Sequence, residues 1–273
     1  MGAGNVKSAV SRAVVAVSIV AALGATAACG GSGDDGKKPA KSGAGSAKGG
    51  SGGAARLEKA ALTTGDVKGY RAEDPKDLDA PDSAASAAGT ASPTVCAPLA
   101  VLLGTGPGVG PGAVPKLEPE PEQQVSRVLT PSGGKDLTTT NVDLYAYDGA
   151  GTGAERVMAG LDAALKSKKC AAFRVGDHRY VGVQSLPAPD KGDAAISYEL
   201  AHRKSEYMAR EQLTVVREGG TLIVFDASNM YDPQGVQDDR EAEREGMKGI
   251  GTPKADDDPK VAPVLVDAQL RKL

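Results

Sequence analysis

The spacing of apolar and polar positions changes several times along the chain. A charge-free run at residues 13–28, rich in Ala and Val, gives way at 30–55 to Gly, Ser, Ala and Lys without an apolar period. Leu57, Ala60 and Ala61 then fall at helical spacing, and Thr63-Thr64-Gly65 closes that short helix. Residues 71–93 follow neither the 3.6-residue nor the two-residue period and read as a surface loop. Ser92-Pro93 offers a helix start. Cys96, Leu99, Ala100 and Leu103 follow at i, i+3, i+4 and i+7, which puts the thiol on the buried face. Repeated Gly and Pro at 104–122 exclude an element interior.

From residue 125 the pattern becomes that of strands. Residues 125–130 and 138–147 are β-branched and aromatic, and Pro131-Ser132-Gly133-Gly134 between them predicts a hairpin. Val142, Leu144 and Ala146 alternate with Asp143, Tyr145 and Tyr147, so only one face of that strand is expected to be apolar. Thr152-Gly153-Ala154-Glu155 fits a capping box. Val157, Met158, Leu161, Ala164 and Leu165 continue as the stripe of a helix ending near Lys169. Lys166, Lys168 and Lys169 suit the negative end of its dipole. Strands are predicted at 171–175, 180–183, 194–202 and 208–217, and Gly219-Gly220 turns the last into 221–227. A highly charged helix at 237–248, a polar loop around Asp256, Asp257 and Asp258, and a final amphipathic helix through Val264, Ala268 and Leu270 complete the reading. Strands in hairpin runs with helices before and between them define an α+β domain, a largely antiparallel sheet with helices packed on it.

The N-terminal run is 16 residues, shorter than the roughly 20 needed to span a bilayer, and Lys7 and Arg12 precede it. That is the layout of a secretory signal over residues 1–28. Thr26-Ala27-Ala28-Cys29 resembles the lipobox of bacterial lipoprotein precursors, with Cys29 as the residue to be lipidated, although Thr26 stands where Leu is usual. Ala25-Thr26-Ala27 read as an ordinary A-x-A cleavage site is the alternative. Residues 29–55 form a flexible tether that would hold the domain, residues 56–273, some 25–30 Å from the lipid by random-coil statistics. Its lysines, Lys37, Lys38, Lys41 and Lys48, read as solubilising charge or as contacts to anionic head groups. With Cys29 acylated, only Cys96 and Cys170 remain, and outside the cytoplasm they are expected to form a disulfide. They lack the C-x-x-C spacing of a redox pair.

Composition narrows the function. The chain's 32 basic and 35 acidic side chains nearly cancel, so no nucleic-acid surface is expected. With no Trp and only two Phe, Tyr145, Tyr147, Tyr198 and Tyr207 either line a groove on the sheet or serve as the larger members of a lean core. Gly149-Ala150-Gly151-Thr152-Gly153-Ala154, with Asp177 beyond it, matches a dinucleotide fingerprint in form. The half-polar strand before it favours a plain capped turn, so no cofactor is expected. Gly49-Gly50-Ser51-Gly52-Gly53 fits G-x-S-x-G inside the tether, and Ser132-Gly133-Gly134-Lys135 fits S-x-x-K inside a turn; neither context supports a nucleophile. His178 and His202 are 24 residues apart without zinc spacing and read as surface strand residues. The acidic clusters at 74–82, 238–245 and 256–258 lack calcium-loop spacing and read as solvated charge, so no metal site is expected.

Leu57-Glu58-Lys59-Ala60-Ala61-Leu62-Thr63-Thr64-Gly65-Asp66-Val67, then Cys96-Ala97-Pro98-Leu99, then Val142-Asp143-Leu144-Tyr145 before an Ala-rich helix running into Cys170, form a recognisable series. Over roughly residues 57–227 the chain resembles the extracytoplasmic sensor-like domain at the C-terminus of mycobacterial serine/threonine kinase H, which also occurs in stand-alone actinobacterial lipoproteins. The resemblance implies an antiparallel sheet with a ligand-binding cleft, and sensing or binding without catalysis. This chain has one possible disulfide where that domain commonly has two, and Ser167-Lys168-Lys169 where a Trp often precedes the second Cys. It has no kinase domain. The expectation is a lipid-anchored, non-enzymatic binding module on the extracytoplasmic face of the cell membrane, with an envelope ligand or membrane protein as partner. A hydrolase of envelope polymers and a structural subunit of a membrane complex are the alternatives.

Overall fold

A computed structural model describes residues 52–78, 90–103, 117–133, 137–147 and 151–273, which belong to one compact unit. The signal segment, Cys29 and nearly all of the tether, including its lysines and the Gly49–Gly50–Ser51 part of the G-x-S-x-G match, lie outside the described residues. Five helices are described: α1 (Gly52–Ala60), α2 (Ala97–Leu102), α3 (Thr152–Lys166), α4 (Pro233–Arg244) and α5 (Pro263–Leu270). Helix α1 thus begins within the stretch read as tether. No described helix is long and apolar enough to cross a membrane.

Nine strands form one antiparallel sheet: β1 (Tyr70–Glu73), β2 (Ala91–Ser92), β3 (Gln123–Pro131), β4 (Thr139–Ala146), β5 (Ala172–Val175), β6 (His178–Leu186), β7 (Ala194–Lys204), β8 (Tyr207–Glu218) and β9 (Thr221–Tyr231). Their order is β1-β3-β4-β9-β8-β7-β6-β5-β2. The architecture is α+β, as the sequence predicts. Gly219-Gly220 forms the two-residue turn between β8 and β9, with Glu218 opposite Thr221. Gly219 takes a φ of +57°, which suits the twist of such hairpins. The segment read as loop at 71–93 contributes both edges instead, β1 beside β3 and β2 beside β5.

Both faces of the sheet are covered, which corrects the one-sided expectation for residues 138–147. On the first face α2 and α3 pack over Tyr145, Tyr198, Leu213, Val215, Leu222 and Val224. On the second, Leu57 of α1 and Leu265, Val266 and Ala268 of α5 pack over Val142, Leu144, Val216, Ile223 and Phe225. Because successive side chains point to opposite faces, a strand buried on both sides must be apolar throughout. Residues 222–225 at the centre of β9 are accordingly fully buried. Tyr145, Tyr147 and Tyr198 belong to the core, while Tyr207 is exposed.

Helix α3 starts differently from its sequence signature. Gly151, at φ +87°, is its N-cap, so Thr152 is the first helical residue instead of the cap that the capping-box reading makes it. Glu155 donates its backbone N–H to the Gly151 carbonyl, and its carboxylate lies 3.7 Å from Arg217. A side chain at Gly151 would press on the Gly219 carbonyl, and one at Gly153 would enter the Tyr147 ring. Close packing thus accounts for two of the glycines in the dinucleotide-like motif; Gly149 and Ala150 lie outside the described residues. Helix α4 begins at Pro233, four residues before the predicted start, with Asp232 accepting the Gln234 backbone N–H at 3.0 Å.

The second face is closed beyond α5 by the segment leading into that helix. Arg210 on β8 donates to the carbonyls of Ala255 at 2.9 Å and Asp257 at 2.8 Å, and to Asn229 at 3.1 Å. Gln212 accepts the Val261 backbone N–H at 2.7 Å. The acidic residues 256–258, read as solvated, therefore sit in a loop anchored by a buried arginine. Asp239 of the other cluster accepts backbone N–H groups of Ile250, Gly251 and Thr252, which hold its carboxyl below the usual range.

Cys96 and Cys170 form the expected disulfide, joining the turn before α2 to the turn after α3. Both are buried. The bridge spans 74 residues, a separation for which chain entropy assigns about 4 kcal/mol of stabilisation. Replacing both cysteines by Ser should lower the unfolding free energy by about that amount, measured by urea denaturation of oxidised wild type against the variant. Equal midpoints would show that the bridge contributes nothing to the fold.

Candidate functional site

The first face of the sheet is not apolar throughout. Beyond the rows covered by α3, β4 carries Asn141 and Asp143, β9 carries Asp226, and β8 carries Glu211. The register sets Asn141 directly opposite Asp226, Asp143 opposite Val224, and Glu211 opposite Ser228. The three carboxylates therefore descend diagonally across three adjacent strands spaced about 4.8 Å apart. None is more than 9% exposed.

Aromatic rings continue this row toward the sheet edge. Phe173 on β5 stacks on Tyr180 of β6 at 5.1 Å, Tyr180 lies 5.0 Å from His202 of β7, and His178 meets His202 edge-on at 5.9 Å. His202 Nδ1 is 3.2 Å from a carboxylate oxygen of Glu211, and both side chains are about nine-tenths buried or nearly so. The histidines are thus half-buried members of this row, a correction to their reading as surface residues.

Asp143 accepts a short hydrogen bond from the Ser126 hydroxyl of β3, and Asn141 bonds the side chain of Asp226. Several buried oxygens have no protein hydrogen-bond partner: Asp226 Oδ1, Glu211 Oε2, Asn141 Oδ1 and Tyr198 Oη. Burial first, and then the charges of Glu211 and Asp143, push the Asp226 carboxyl well above the ordinary carboxylate range. Burial, with the nearby Asp226 and Glu211 charges, likewise pushes the hydroxyl of Tyr198 up. Tyr180 is raised by burial and then by Glu211 and Asp226. Those mutual effects place the two phenols beside the two acids.

Among the described residues, no lysine or arginine is paired with Asp226 or Glu211 in the way Arg210 is held on the opposite face. Arg210 and Arg127 point to the second face, where Arg127 bonds Glu58 and lies 3.8 Å from Asp74. Among the described residues, no three His, Cys, Asp or Glu side chains converge tightly enough to hold a metal ion. A separate groove of about 810 Å³ lies between α1, the turn joining β8 and β9, and the C-terminus, lined by Arg56, Lys59, Glu122, Glu218 and Lys272 with Leu57 and Leu270. Its charges are mixed and Lys272 is already paired with Asp66 at 2.5 Å.

The sequence reading missed Asn141, Asp143, Glu211 and Asp226 as a group. Asp143 falls on the face of its strand that need not be apolar, and the available signal is Asp226 interrupting the otherwise apolar run from Leu222 to Ala227. Asp177, the other element of the dinucleotide-like pattern, lies in the exposed turn between β5 and β6. The strand before α3 runs in an antiparallel sheet rather than in a parallel βαβ unit. Ser132 and Gly133 sit exposed at the end of β3, and the remainder of that S-x-x-K match lies outside the described residues. The fold and the site define the class: an α+β domain with a buried acidic and aromatic row on the face that carries its disulfide. No protein-family model and no curated protein matches the chain.

The elevated Asp226 carboxyl gives a signed pH dependence. Its folded form holds a proton more firmly than the unfolded chain, whose carboxyl titrates near 3.9. The stability tied to it is therefore complete below about pH 4 and is lost as pH rises through the elevated folded value. Asp226→Asn removes this term. Wild-type stability minus that of the variant should fall between pH 4 and pH 8, by up to about 1.4 kcal/mol per unit. Urea denaturation of both at pH 4, 6 and 8 measures it, and a constant difference would contradict the assignment.

Proposed function

We propose that this chain is an exported lipoprotein, anchored through acylated Cys29 at the extracytoplasmic face of the cell membrane, whose α+β domain binds an envelope ligand or a membrane protein without catalysis. The single observation that carries the binding reading is the enclosed row of Asp143, Asp226, Glu211, His202, Tyr180 and Tyr198 on an otherwise apolar face. Converging polar groups set among apolar walls are the usual make-up of a ligand site. The disulfide agrees with an oxidising compartment. Of the residues that carry the resemblance to the sensor-like domain of kinase H, Leu57, Cys96, Leu144 and Cys170 lie in the buried core, which suits a shared framework.

The clustered carboxylates also favour a second reading, hydrolysis of envelope polymers, in which a protonated Asp226 would act as general acid. That chemistry needs both carboxyl groups at the wall of an open cleft. Asp143 is fully buried and Asp226 only 4% exposed, which favours binding of something small.

Two measurements test the reading. Mass spectrometry of the mature chain should find diacylglyceryl-modified Cys29 at its N-terminus, and Cys29→Ser should move the protein from the membrane fraction to the medium. A mature N-terminus at Ala28 with an unmodified Cys29 would remove the anchor from the proposal. A thermal-shift panel of cell-wall fragments, sugars, nucleotides, amines and divalent ions should give a saturable rise in Tm with one class. A flat panel would move the reading to a protein partner.

A further inference from the structure

The acidic row and its orphaned oxygens have a chemical character that names a ligand class. Asn141 Oδ1 can only accept hydrogen bonds, Asp226 Oδ1 and Glu211 Oε2 accept whenever their carboxyls are ionised, and none of the three has a protein donor. Tyr198 is fully buried among the same groups with its hydroxyl unpartnered. Buried polar groups without a partner in the chain call for a donor from outside it. A group that brings donors and positive charge together would satisfy these three oxygens. Water supplies two donors and no charge. Among the described residues no three His, Cys, Asp or Glu side chains are placed to hold a metal ion, whereas an ammonium reaches its acceptors at the longer, roughly 2.7–3.2 Å distance of a hydrogen bond.

A primary ammonium fits all of these conditions. It carries one positive charge and three N–H donors and accepts nothing, matching three acceptor oxygens in a carboxylate-rich setting. Aromatic faces beside the acids suit the same charge, since a cation is attracted to a ring within about 6 Å of its centroid. Tyr180 and His202 supply such rings, and His202, 14% exposed at its side chain, lies at the outer end of the row.

We infer that the disulfide-bearing face binds a small primary amine, its ammonium group donating to Asp226, Glu211 and Asn141 between the rings of Tyr180 and Tyr198, with entry past His202. This deepens the binding reading above and rests on it. The ammonium can belong to a free alkylamine or to a lysine-like side chain at the end of a peptide, and the probes below separate these sources.

The test is isothermal titration calorimetry of the full chain in detergent micelles at pH 7.5, against methylammonium, putrescine, Nα-acetyl-lysine amide, tetramethylammonium, 1,4-butanediol and calcium chloride. Saturable binding of one or more primary amines is expected, with none of the diol and none of tetramethylammonium, which has the charge but no N–H donor. Putrescine binding without the lysine amide assigns free amines; the reverse assigns a peptide side chain. Glu211→Gln and Asp226→Asn should each weaken binding by at least about tenfold, the scale of one charge-assisted hydrogen bond, while Glu58→Gln on the opposite face should leave it unchanged. Should either variant fail to melt cooperatively, the contrast between methylammonium and tetramethylammonium on the wild type still decides the matter. The inference is overturned if a folded wild type gives no saturable heat with any amine, if tetramethylammonium binds as well as methylammonium, if calcium alone binds, or if both folded variants bind like the wild type. A positive thermal shift with sugars or nucleotides alongside silent amines would overturn this inference and leave the binding module standing.

Discussion

The pairing of β8 with β9 is the constraint from which the other features follow. Its register runs without interruption from Met208 opposite Tyr231 to Glu218 opposite Thr221, set by the Gly219-Gly220 turn. A slip of one residue would send every side chain on a strand to the other face. Here that would put Asp226 into the apolar layer under α5 and take Phe225 into the acidic row. Burial of Val215, Val216, Ile223, Val224 and Phe225 on both faces makes such a slip costly, because each fully buried side chain of this size contributes about 1.5–3 kcal/mol. The hairpin therefore holds the acids in place as firmly as it holds the core.

The two faces solve the burial of charge in opposite ways. On the second face Arg210 is enclosed, and its guanidinium meets Asn229, two loop carbonyls and Asp258. A buried charge with its donors satisfied is stable, and it fixes the loop that supplies them. On the first face the acids are gathered with few donors, and burial, with the charges of Glu211 and Asp143, raises the Asp226 carboxyl. One hairpin thus carries a satisfied charge on its outer row and an unsatisfied one on its inner row. Such asymmetry locates function more sharply than a pocket outline does, because a polar group buried without a partner has no structural benefit to offset its cost.

Much of the fold was legible because its strongest signals were local. Helix α3, the Gly219-Gly220 hairpin and the buried faces of Cys96 and Leu99 follow from period and turn chemistry alone. The edges were not. β1 and β2 are four and two residues long, held by partners distant in sequence, and no period can emerge from so few positions. The turn between β7 and β8 was placed loosely because Ser205, at φ +57°, adopts a conformation that sequence reading assigns to Gly or Asn. The acidic row was hidden for a deeper reason. Asp143 looks like an ordinary solvent-facing residue of an alternating strand until the helices on both faces are known, and it meets Asp226 and Glu211 only through pairings of residues more than 60 positions apart.

The two ends of the domain are fastened to each other. Gln269 of α5 is fully buried and donates to the carbonyl of Ala60, the last residue of α1, at 2.8 Å, and Lys272 reaches Asp66 just beyond. A pull on α1 therefore bears at the same time on the C-terminal helix, through Gln269, and on β3, through the pair of Glu58 with Arg127. Both attachments are made by side chains, and β9 and β8 lie farther into the sheet, beyond β3 and β4. The domain thus has side-chain fastenings at its first helix and its paired central strands well behind them.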